Sequence, residues 1–202
     1  MEEEENDTQR KILDAAQSVF VRSGFHGARM EEIAREAGIN KALLHYYFRT
    51  KEHLFQMIFA SVARRMFPRL SGILNGEDEI EEKVEQVMAT YMDFLERHPN
   101  LPGFVINEMN RREERLQQFV GSLGPLRLDR LTAQIEARVA AGTMRPVTTE
   151  MFMVNLVSLC LFPFIARPML GAILGLKDER FDEFIEQRKR ELPAFFLNGL
   201  RP

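Results

Sequence analysis

Between residues 30 and 47 the chain has few ways to fold. Two short helical stretches, about Met30–Ala37 and Lys41–Tyr47, are separated only by Gly38, Ile39 and Asn40. So short a link demands a residue free to take positive φ, an apolar residue filling the angle between the helices, and a cap for the second helix. Gly38, Ile39 and Asn40 meet these needs in order, which is helix-turn-helix spacing. A longer helix precedes them, starting near Thr8 as N-cap. It carries Ile12, Ala15, Ala16, Val19 and Phe20 at i, i+3, i+4, i+7, i+8, and Gly24 stops it. Thr50 caps a further helix through Leu54, Phe55, Ile58, Phe59 and Val62.

Helical periodicity continues along the chain, and alternating strand patterns bounded by hairpin turns are missing from the sequence. After a break at Pro68, Gly72, Asn75 and Gly76, a helix is expected over Asp78–His98 with Ile80, Val84, Val87, Met88, Tyr91 and Leu95 on one face. Short helical residues around Phe104–Met109 follow an interruption at Pro99–Gly103, and Gly121–Pro125 breaks the chain again. The remaining helices are expected at about Leu126–Ala141, Thr149–Ala166 and Asp178–Leu197. Gly171–Gly175 lies between the last two, and Pro193 loosens the final turns. The fold class is therefore all-α, with about nine helices.

Composition narrows the function. With 202 residues, 45% hydrophobic and 28% charged, the chain is globular in character. Its net charge of -3 gives no bulk attraction to nucleic acid or anionic membrane, so any basic surface must be local. One cysteine, Cys160, cannot form an intrachain disulfide, and the acidic start at Glu2–Glu5 is unlike a signal peptide; a cytoplasmic protein is expected. The uncharged run Met151–Ala166 is shorter than the roughly 20 residues a spanning helix needs. It reads as a helix buried in a protein interior or a subunit interface. The histidines show no metal-ligand spacing, so no metal and no cofactor is expected.

The series Ile12-Leu13-Asp14-Ala15-Ala16, Phe20, Gly24-Phe25, Ile33-Ala34, Ala37 through Lys41, Leu44, Tyr46-Tyr47-Phe48, Lys51 and Leu54-Phe55 resembles the DNA-binding domain of TetR-family transcriptional regulators. The resemblance covers Thr8 to about Phe59. It implies a helix-turn-helix DNA-binding domain at 1–53 and a helical ligand-binding and dimerisation domain at 54–202, whose last two long helices form a homodimer interface. Carried onto this chain, Lys41, Ala42, Leu43, His45 and Tyr46 form the reading face, with Tyr47 beside it and Leu44 and Phe48 as core plugs. Lys51, helped by Thr50, matches a phosphate-contacting position. Arg29 stands where the family commonly has Thr or Ser as cap and phosphate ligand, and its charge is the compensating feature.

The residues point the same way. From Asp7 to His53 eight basic side chains face six acids, and Arg29, Lys41, Arg49 and Lys51 cluster near the turn and the ends of the short third helix. Lys41 and His45 can hydrogen-bond to base edges or phosphate, whereas Ala42 and Leu43 can make only apolar contact. From Leu54 onward the chain holds 13 of its 16 Phe and 9 of its 11 Met, residues that build adaptable cores or line apolar cavities. Met88, Tyr91, Phe104, Asn107, Glu108, Phe119, Met151, Asn155 and Ser158 are the candidate lining of a site for a small hydrophobic effector. The partners expected are double-stranded DNA carrying a near-palindromic operator, a second copy of the chain and that effector, with no membrane. Two rival functions are a helical enzyme, for which no catalytic motif is present in the sequence, and a DNA-binding protein whose second domain takes a protein partner.

Overall fold

The computed structural model describes residues 2–99, 101–103 and 126–202. Among these residues the chain is all-helical, without strands. The helices are α1 (Glu2–Gly27), α2 (Met30–Glu36), α3 (Lys41–Tyr47), α4 (Lys51–Leu74), α5 (Ile80–Arg97), α6 (Asp129–Ala140), α7 (Thr149–Ile165), α8 (Arg167–Ile173) and α9 (Asp178–Asn198). Residues 101–103 are helical as well, so the expected count of about nine is slightly exceeded. The described residues form two compact units: 2–65 with 98, 99 and 101–103, and 66–97 with 126–202. The expected domain boundary, after residue 53, falls inside α4.

In the first unit, α1 buries the predicted face: Ile12, Ala15, Ala16, Val19 and Phe20 are all inaccessible to solvent or nearly so. Ile33, Ala34, Leu44, Phe48, Leu54 and Phe55 complete this core. Phe20, Phe25 and Phe55 form an aromatic cluster with centroids 5.0–5.8 Å apart. The helix starts earlier than expected. It runs from Glu2, with Thr8 inside it rather than capping it. Gly24, at φ 67° and ψ 169°, breaks it where predicted.

The second unit has its core on α5, which packs on α6, α7 and α9. Ile80, Val84, Val87, Met88, Met92 and Leu95 meet Leu131, Ile135, Phe152, Leu156, Cys160, Phe181 and Ile185. Two expectations change here. α4 passes through Pro68 and Gly72 and stops only at Leu74, because Pro68 is exposed and the loss of one hydrogen bond there does not end the helix. Asn75 supplies the stop: its Nδ2 donates to the carbonyls of Ser71 and Arg127, and its Oδ1 accepts from Arg130 N. The segment around Gly171 is not a loop but α8, bent 68° from α7. The last helix, α9, runs through Pro193 as expected and ends at Asn198.

Two polar devices tie this unit together. Arg138 at the end of α6 pairs with Glu79 (2.9 Å) and Glu81 (2.5 Å) at the start of α5. Lys83 is the one buried charged residue among the described residues. Its ammonium donates to Gln134 Oε1 at 2.6 Å, and Gln134 Nε2 donates to the Asp78 carbonyl. Among the described residues no single helix is long and apolar enough to cross a membrane. Only the bent pair α7 and α8 meets the length and composition for that, and α7 buries Phe152, Leu156, Cys160 and Phe164 in this core.

Candidate nucleic-acid interface and effector region

The turn between α2 and α3 is built as its residues dictate. Gly38 takes φ 68°, its N–H donates to the Arg35 carbonyl (3.2 Å), and the Ile39 N–H donates to Ala34 O (3.0 Å). These two bonds make a Schellman cap, which turns the chain tightly because C′ adopts the left-handed conformation. Asn40 then caps α3, its Oδ1 accepting from Leu43 N at 2.7 Å. One more cap follows at once: Thr50 Oγ1 accepts from His53 N at 3.1 Å, starting α4.

With both ends of α3 set, its two faces separate. Leu44 is fully buried and Phe48 nearly so, as expected for plugs. The opposite face shows Lys41, Ala42, Leu43, His45 and Tyr46 to solvent; Tyr46 is 73% exposed, while the adjacent Tyr47 is half-buried. The two tyrosine rings meet edge to face, 5.2 Å apart, which braces Tyr46 in an outward direction. His45 Nδ1 lies 3.3 Å from the Arg49 carbonyl, a contact that orients its ring.

The cations differ in how they are held. Lys41 pairs with Glu31 of α2 at 2.5 Å, both side chains being largely exposed. This hydrogen bond holds the Glu31 carboxyl below its ordinary range. Lys51 Nζ donates to the carbonyls of Ala28 (3.0 Å) and His26 (3.4 Å) and lies 4.7 Å above the Phe25 ring. An ammonium has three donors, so Lys51 is fixed in place with one donor left for an anion. Arg29 occupies the N-cap of α2 with extended backbone and no side-chain cap bond, and its guanidinium adds charge without replacing the missing hydroxyl cap.

An unanticipated network underlies this surface. Arg22 of α1 bonds Glu32 (3.0 Å) and Glu36 (3.1 Å) of α2, and Ser18 donates to Glu36 at 3.1 Å. These contacts hold the Glu36 carboxyl low and fasten α2 to α1. The residues lie on successive turns of two separate helices, so no local motif announces them.

Of the described candidate effector residues, Met88 and Tyr91 are not brought together with Met151, Asn155 and Ser158. Met88 is fully buried, and Tyr91 has its hydroxyl pushed up to about 12 by burial. Met151 is 55% exposed, Ser158 is exposed and Asn155 half-buried, on the other side of α7 from its core residues. Phe104, Asn107, Glu108 and Phe119 lie outside the described residues. Within one chain α7 is buried on one side only: Met151, Val154, Phe162 and Ile165 form an outward apolar stripe, and Phe195 of α9 is likewise exposed.

Comparison with known proteins fits this arrangement. Residues 12–58 match the family described as bacterial regulatory proteins, tetR family, and residues 81–191 match the tetracyclin repressor-like C-terminal domain. The HTH-type transcriptional repressor NicS of Pseudomonas putida is 28% identical, covering 96% of this chain and 92% of that protein. The HTH-type transcriptional regulator RutR of Escherichia coli is 26% identical, covering 96% and 90%. Among solved structures, a transcriptional regulator of Saccharomonospora viridis in complex with choline shares the fold at TM-score 0.72 and 18% identity, covering 98% and 99%. FadR of Bacillus subtilis in complex with stearoyl-CoA does so at TM-score 0.65 and 16% identity, covering 95% and 99%. The relatives NicS and RutR are transcriptional regulators, and with more than half its length matched by one family domain this chain belongs to the TetR family of DNA-binding transcriptional regulators.

Proposed function

We propose that the protein is a homodimeric repressor which binds a near-palindromic operator and is released by a small, largely hydrophobic effector. Residues 1–53 read the DNA and residues 54–202 dimerise and take the effector. The observation that carries this reading is the division of α3, with Leu44 and Phe48 buried while Ala42, Leu43, His45 and Tyr46 face outward between Lys41 and Lys51. A face so composed offers apolar contact to thymine methyls and hydrogen bonds to base edges, flanked by cations for phosphate. The outward apolar residues of α7 and α9 support a dimer through these two helices, since such a stripe is costly to leave in water. Repression follows the naming of NicS, and a hydrophobic effector is in keeping with the stearoyl-CoA held by FadR.

In this scheme the two α3 helices of the dimer enter successive major grooves, about 34 to 36 Å apart. Effector and operator are linked: a ligand that weakens DNA binding by some factor is itself bound more weakly by that factor when DNA is present. Retention of genomic fragments by the full chain, followed by sequencing, tests the proposal. An inverted repeat enriched by the parent and lost with Lys41→Ala/Tyr46→Ala supports it. Enrichment of no sequence, or one unchanged in the variant, opposes it.

A further inference from the structure

The outward face of α9 carries a chemical pattern that is complementary to its own reverse. Phe184, Arg188, Glu191 and Phe195 follow one another at helical spacing and line a shallow groove with Gln187 and Leu192. The order is aromatic, cation, anion, aromatic. Arg188 is half-buried and makes no ion pair among the described residues. Its Nε and Nη2 donate instead to the Leu159 carbonyl of α7, at 3.3 and 2.9 Å. That carbonyl is available because its helical partner four residues on is Pro163, which has no N–H. The guanidinium is thus clamped by one edge, with Nη1 left over. Gln187 Nε2 donates to Glu191 Oε1 at 2.9 Å and steadies the carboxylate one turn away.

A half-desolvated arginine without a carboxylate invites one from outside, and a two-fold axis can supply it, because in an isologous contact residue i meets j and j meets i. Parallel packing of α9 on its symmetry mate would set Arg188 against Arg188 and Glu191 against Glu191. Antiparallel packing centred between Arg188 and Glu191 sets each arginine against a glutamate and Phe184 against Phe195. We infer that the homodimer is held in register by an antiparallel α9–α9 contact with two reciprocal Arg188–Glu191 ion pairs between copies, flanked by Phe184–Phe195 contacts. The inference rests on the dimer reading above and goes beyond it by fixing the direction and register of the contact. The groove is continuous in chemistry with the apolar stripe of α7, whose Leu159 carbonyl holds Arg188 in place.

The test is the dimer dissociation constant of the full chain by sedimentation equilibrium. Glu191→Arg keeps the Arg188–Leu159 bond and places like charges in contact, so the constant is expected to rise about a hundredfold at low salt and less at high salt, with Glu191→Gln in between. Arg188→Glu mixed with Glu191→Arg is expected to form heterodimers in preference to either homodimer, since both cross-pairs are then opposite in sign. If the Arg188→Glu chain does not fold, the glutamate series decides alone. A dimer whose constant is the same for Glu191, Gln and Arg overturns the inference, as does a mixture without preferred heterodimers. A parent chain that stays monomeric at every concentration overturns the dimer reading itself, and the inference with it.

Discussion

Removal of the Asn40 cap probes how the reading helix is held. α3 has seven residues, too few to be stable by propagation, so its geometry depends on its ends and on the burial of Leu44. The Asn40 Oδ1 bond to Leu43 N, at 2.7 Å, satisfies one of the donors that a helix start leaves orphaned. Replacing an N-cap Asn by Ala costs about 1 kcal/mol and by Gly a few tenths, whereas Ser and Asp keep most of the effect. For a chain of this length about 1 kcal/mol corresponds to roughly 2–4 °C in Tm. It also corresponds to about fivefold in any local opening equilibrium that exposes the Leu43 amide. Thermal unfolding and amide hydrogen exchange across Asn40→Ala, Gly, Ser and Asp should therefore rank Asn, Asp and Ser together, then Gly, then Ala. Operator binding is expected to separate the two good caps: in the proposed complex a carboxylate added beside the reading face repels phosphate, so Asn40→Asp should bind less well than Asn40→Ser at low salt. Equal stability and equal Leu43 exchange in the Ala and Ser variants would show that the Asn40 side chain does not hold the start of α3.

Three further outcomes are expected. Arg188→Met leaves the Leu159 carbonyl without a partner and should destabilise the chain by about 1–3 kcal/mol in denaturant unfolding. The same change in a Pro163→Ala background should cost much less, since residue 163 then supplies the helical N–H; an equal cost in both backgrounds would disprove the pairing. Glu31→Gln removes the carboxylate that holds Lys41 and should tighten operator binding several-fold while steepening its salt dependence by about one phosphate contact, which filter binding over a salt series measures. Glu81 has its carboxyl held below its ordinary value of 4.5, chiefly by the hydrogen bond from Arg138. A depressed carboxyl stabilises the fold above about pH 4.5, and that contribution is lost as pH falls through the lower folded value. Acid unfolding should thus separate parent from Arg138→Met above that range and bring them together below it.

The parts legible in the sequence are those decided locally. Gly38 with positive φ, the Asn40 and Thr50 caps and the i, i+3, i+4 face of α1 each depend on residues within a few positions, and the bounds of α3 follow from them. The plugs Leu44 and Phe48 and the outward Tyr46 were readable for the same reason, because adjacent helical positions point about 100° apart. What was not readable depends on distant partners. Pro68 resembles a helix stop, yet the stop lies at Asn75, whose amide needs the Arg127 carbonyl from another part of the chain. Lys83 looks like a surface lysine until Gln134 is placed beside it. The apolar run of α7 looks buried all round, but a single chain covers one side only, which sends Met151 and Ser158 away from Met88 and Tyr91. Tertiary partners, and a second copy in the proposed dimer, decide such positions.

Whether the exposed face of α3 reads sequence is decided by comparing affinities for the enriched inverted repeat and for a scrambled duplex at one salt concentration. Tyr46→Ala is expected to lose at least about tenfold on the repeat, within the range of about 1–3 kcal/mol for a base-directed contact, and almost nothing on scrambled DNA. Lys51→Ala should weaken both alike. Equal losses on both duplexes for Tyr46→Ala, or none on either, would contradict the assignment of α3 as the reading helix.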